Sequence, residues 1–82
     1  MDEKDKSNFQ EWLIDEKGFE IKSARDVLSR LKRVSSLFNV NFNKSIDKII
    51  FDVSSNDKFK ELSPSVKSQL KRSVLLYKEF TK

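Results

Sequence analysis

Apolar residues recur along this chain at the three-to-four-residue spacing of a helix, in four separate stretches. In "SNFQEWLIDEKG", residues 7–18, Phe9, Trp12 and Leu13 fall on one face, with Glu16 a further step along. Ser7 followed by Gln10 has the form of a capping box, and Gly18 has that of a helix stop, so a short helix is expected here. The second stretch starts between Glu20 and Ser23 and runs to about Phe38. Its Ala24, Val27, Leu28, Leu31, Val34 and Phe38 lie within about a third of the circumference at roughly 100° per residue. This is the strongest amphipathic pattern in the chain and predicts a long helix.

The third stretch runs from Lys44 to Ser54, after the polar "NVNFN". Phe42, Ile46, Ile49, Ile50 and Val53 stand at helical steps, while the β-branched and aromatic content of "KIIFDV" also admits a strand. "SSNDKFKEL" reads as a loop with at most one turn, dropping Phe59 and Leu62 into the core. The last stretch has Ser63 as cap and Pro64 at the first helical position, where a missing N–H costs least. Val66, Leu70, Ser73, Val74, Tyr77 and Phe80 then form a buried stripe, and Leu75 points away from it. "MDEKDK", residues 1–6, has no apolar partner and is expected to be a flexible arm ahead of one domain over 7–82. With one Gly and one Pro in 82 residues, tight β turns are disfavoured, and the expected class is all-α, a four-helix bundle.

Charge sharpens this picture. Residues 1–20 hold three Lys against seven acidic residues, whereas 21–82 hold fourteen basic against six acidic, so a net +4 conceals a body of +8. On the wheel of the second helix Lys22, Arg25, Ser29 and Arg33 line the face opposite the apolar stripe, with Lys32 at its margin. Lys67, Lys71 and Lys78 form a row beside the stripe of the last helix. Charges repeated every three or four residues can meet several backbone phosphates at once. Equally, a Lys- and Arg-rich face can be simply solvated, and lysines late in a helix complement its dipole. Both readings stay open on the pattern alone.

Candidate chemistry is sparse. The chain has no His and no Cys, which removes the commonest general base, thiolate nucleophiles and the commonest metal ligands. The carboxylates of "MDEKDK" and "DEK" are interleaved with lysines and read as solvated charge, not a metal site. Ser35, Ser36, Ser54 and Ser55 have no base in motif. Trp12 and the seven Phe could be stacking platforms for single-stranded nucleic acid, but nearly all fall on apolar faces and belong to the core. No apolar run exceeds three or four residues, as in "VLL" and "IIF", and the acidic start lacks the form of a signal peptide. The expectation is a cytoplasmic, non-enzymatic module without cofactor or metal.

The front segment "FQEWLIDEKGFEIKSARDVLSRLKRV" resembles the N-terminal core-binding domain of tyrosine recombinases, the phage-integrase type with a SAM-like helical fold. That family opens with an aromatic and a "WL" or "FL" pair on a short helix. Gly plus a hydrophobic residue, a Ser or Thr, and a long helix with Leu near its middle follow. Phe9, Trp12, Leu13, Gly18, Phe19, Ser23 and Leu31 occupy those places, and "SPSVKSQLKRSVLLYKEF" is similar to the family's last core-binding helix. Val27 stands where the family often carries Tyr, and Glu20 where it carries a small polar residue. The resemblance implies four helices, short, long, medium and long, that clamp duplex DNA through backbone contacts. It further implies a catalytic domain in the same polypeptide, beyond this segment, that contributes an Arg, Lys, His, Arg and Tyr constellation. Under this expectation Lys22, Arg25, Ser29, Lys32, Arg33, Lys67, Lys71 and Lys78 meet DNA. The competing expectation is a helical protein-interaction module, from a phage or a bacterial regulatory protein, that docks a partner near Leu75.

Overall fold

The computed structural model describes residues 3–38 and 42–81. Among them the chain is all-helical, with five helices in the order α1 (Glu3–Asp15), α2 (Ile21–Phe38), α3 (Ile46–Ser54), α4 (Asp57–Lys60) and α5 (Pro64–Phe80). The long helices α2 and α5 pack most extensively on each other. Helix α1 lies chiefly on α2, α3 on α5, and α4 beside α3.

Helix α2 follows its pattern closely. Ala24, Val27, Leu28, Leu31 and Val34 are buried, and Phe38 is half-buried at the far end. The carbonyl of Glu20 accepts the first backbone bond, from Ala24 N–H at 2.9 Å, which fixes the start inside the expected window. Helix α5 is capped as expected: the Ser63 hydroxyl accepts from Val66 N–H, with Pro64 in the first turn. Leu70, Ser73 and Val74 are buried, and Leu76 joins them; Val66, Tyr77 and Phe80 are half-buried at the core's rim. Ser73 sits in the core without penalty because its hydroxyl donates to the Leu70 carbonyl at 2.7 Å.

Three details depart from the sequence reading. Helix α1 begins at Glu3, so Ser7 lies within it and does not cap it, and Lys4–Lys6 are helical; only Met1 and Asp2 of the expected arm lie outside the described residues. Ser7 lies a full turn inside the helix, where its hydroxyl cannot serve as the N-cap. The one turn admitted for "SSNDKFKEL" forms, as the four-residue α4, and counts as a further helix. Its Asn56 side chain accepts from Lys58 N–H at 2.9 Å, and burial of Phe59 holds it in place. The bundle therefore has five helices where four were expected. Lastly, Trp12 is half-buried, against Phe9 and Phe80, and only Phe9 and Leu13 of its face are fully enclosed.

The strand alternative for "KIIFDV" is not adopted. Ser45 caps α3 through its hydroxyl, which accepts from Lys48 N–H, and Ile49 and Val53 turn inward at helical spacing. In the preceding connector Asn39, Val40 and Asn41 lie outside the described residues. Gly18 closes α1 at φ 70°, allowing Phe19 N–H to donate to the Leu13 carbonyl at 3.0 Å.

Two substitutions test this framework by chemical denaturation. Leu31→Ala empties a fully enclosed site and is expected to cost about 2–5 kcal/mol; stability equal to the parent would contradict the packing. Gly18→Ala adds a methyl with nothing within 4 Å, so its expected cost, about 1 kcal/mol, is backbone strain alone; an unchanged or raised midpoint would contradict the left-handed turn.

Candidate nucleic-acid interface

Burial of one side of α2 sets the other side outward. Lys22, Arg25, Ser29, Lys32 and Arg33 are all exposed there. Among the described residues none of the four cations takes part in an ion pair. On the side toward α1 a shallow groove of about 710 Å³ runs along the helix. Lys22, Arg25, Ser29 and Lys32 line it on α2, with the exposed Ile21 at its end and Gln10 of α1 opposite. Asp26 is the one acidic side chain in that lining. Four of the five site residues expected on α2 thus share one surface channel, and Arg33 continues the same face.

The lysine row of α5 is arranged differently. Lys67 and Lys71 are half-buried, and their ammonium groups stand 5.9 and 5.6 Å from the centroid of the Phe59 ring. Their stems cover an aromatic edge of the core while their heads stay near solvent. Lys78 donates to the Phe42 carbonyl at 3.0 Å, pinning the segment before α3 against α5. It also lines a separate groove with Ile46 and Leu75, the latter 50% exposed as its position on the wheel requires. The structure therefore does not join the two rows into one pocket: the α2 group lies along the α1 side, and Lys67 and Lys71 gather at α4.

Two arginines escaped the sequence reading. Arg30 and Arg72 line a third groove, of about 600 Å³, between α2 and α5. The Arg72 guanidinium lies 5.5 Å above the Phe19 ring. On its own helix each falls outside the basic rows, and only helix pairing reveals that they face one groove; no signal within either helix marks them.

The aromatic residues form no exposed stacking row. Phe9 contacts Trp12, Tyr77 and Phe80 at centroid distances of 5.3–6.1 Å, the last two tying α1 to α5, and Tyr77 meets Phe42, ahead of α3, at 5.1 Å. Phe51 is the exposed exception among the described phenylalanines, at 65%. Among the described residues no three acidic side chains gather as a metal would require, and no helix is long and apolar enough to cross a membrane. No protein-family model, no curated protein and no solved structure matches the chain.

Proposed function

We propose that this all-helical chain is a non-catalytic DNA-binding module that lays the outer face of α2 along the phosphate backbone of duplex DNA. The observation that carries this reading is the exposed set Lys22, Arg25, Lys32 and Arg33. Each is set outward by the buried stripe behind it, and among the described residues none is engaged by a carboxylate. A solubilising surface needs no such sorting, because mixed charges serve as well. The motif positions of Phe9, Trp12, Leu13, Gly18, Phe19 and Leu31 support the narrower reading: a SAM-like core-binding domain of an integrase-type recombinase, working on DNA in the cytoplasm. In that reading strand cleavage belongs to a further domain of the same polypeptide. Tyr77, the only Tyr, is half-buried against Phe9 and Phe42 and is packed as a core residue, not poised as a nucleophile.

A second reading has its own observation. The groove at Ile46, Leu75 and Thr81 is partly apolar and offers a helix face to a protein partner. It is the weaker reading because a lone exposed Leu is ordinary on a small domain.

Titration of labelled duplex at several salt concentrations separates them. Binding by the parent is expected on the order of micromolar or poorer, with a steep salt dependence. Arg25→Ala with Arg33→Ala should lower the slope of log affinity against log salt by about 1.8, at about 0.9 per lost phosphate contact. The fold should be unchanged, because both side chains are exposed. An unchanged slope would clear these arginines of backbone contact. Absence of binding by the parent at low salt would favour the partner-docking reading.

A further inference from the structure

We infer that Arg30 and Arg72 form a second phosphate-binding site in the groove between α2 and α5, taking a phosphodiester of the nucleic-acid backbone separately from the outer face of α2. This inference rests on the DNA-binding reading above and extends its footprint around the helix.

The groove is built. Gly18 turns the chain at φ 70°, and the bond from Phe19 N–H to the Leu13 carbonyl fixes the Phe19 backbone at the groove's end. The Phe19 ring then carries the Arg72 guanidinium at 5.5 Å. That cation–π contact holds the guanidinium on one side, and among the described residues no ion pair or hydrogen bond engages its N–H donors. Arg30 enters from the α2 wall and is half-buried, so its stem is held by packing and less order is lost on binding. Gln69 of α5 and Ser23 of α2 add neutral hydrogen-bonding groups to the lining.

Glu20 and Asp26 line the same groove, yet among the described residues neither is ion-paired with an arginine. Their charge balances that of Arg30 and Arg72, so a compact dianion such as free phosphate meets as much repulsion as attraction. A phosphodiester is delivered to the groove by the duplex that the outer face of α2 holds, and its two non-bridging oxygens match one guanidinium fork. Asp26 also lines the channel on the α1 side, so the two grooves adjoin along α2 and one nucleic acid spans both.

The test compares Arg30→Gln with Arg72→Gln against the Arg25→Ala, Arg33→Ala pair in the same salt titration of labelled duplex. The groove double variant should retain the parent's circular dichroism and lose about 1.8 from the salt slope, again at about 0.9 per contact. Arg72→Lys keeps the charge without the fork; it should leave the slope in place and weaken binding at every salt concentration. Inorganic phosphate at matched ionic strength should not displace the duplex. If the groove double variant keeps the parent's slope while the Arg25, Arg33 pair lowers it, the second site is overturned and the DNA-binding reading stands. Arg72→Lys binding as tightly as the parent would overturn the role given to the Arg72 fork. If the parent does not bind duplex at low salt, both inferences fall together.

Discussion

Removing Ala24, Leu31 and Val34 wholly from solvent leaves α2 a single rotational setting in the bundle, and the remaining features depend on that setting. Leu31 sits at the centre of the stripe, with Val27 and Leu28 flanking it. Turning the helix by one residue, about 100°, would bring cations from the outer face toward the core, where an unpaired charge costs many kcal/mol. The hydrophobic stripe thereby orients charges it never touches. Lys22, Arg25, Lys32 and Arg33 need no ion pairs to hold them outward, and their availability to a polyanion follows from packing on the opposite side.

The partners of α2 convert that orientation into surface shape. Helix α1 is locked to α5 by rings, with Phe9 between Trp12, Tyr77 and Phe80, and the turn after α1 is tied to α5 by the Lys17–Glu79 ion pair at 2.7 Å. That pair is partly exposed and is worth little beside the aromatic contacts. With α1 and α5 placed on either side, α2 becomes a basic ridge between two grooves. The α1 side carries Arg25 and Lys32 against Gln10, and the α5 side carries Arg30 against Arg72. The connection between sequence and proposed function therefore passes through helix pairing, since neither groove belongs to one helix.

Much of the fold was legible because periodicity reports burial directly. The α2 stripe, the Ser63–Pro64 start of α5 and the Gly18 stop each follow from local chemistry, and each lies where its residues imply. The start of α1 was not legible, because "EKDK" carries no apolar signal and its Glu and Lys residues are merely good helix formers. Helix α4 was hidden for a related reason: four residues are too few to show a period, and only the Asn56 cap and the burial of Phe59 define it. The site divided along the same line. The α2 residues could be sorted on one wheel. The tethering of Lys78 to the Phe42 carbonyl, the gathering of Lys67 and Lys71 over Phe59 and the meeting of Arg72 with Phe19 all involve residues on different elements. No single wheel contains them.

The central claim is that the face opposite the α2 core stripe is the one that meets nucleic acid, and backbone amide shifts of isotopically labelled protein titrated with duplex DNA test it most directly. The account predicts that perturbations concentrate on α2 between Lys22 and Arg33 and on its two flanking grooves, at Gln10, Gln69 and Arg72, while Ile46, Leu75 and Thr81 stay unmoved. Shifts centred on Ile46, Leu75 and Thr81, with the outer face of α2 silent, would contradict it.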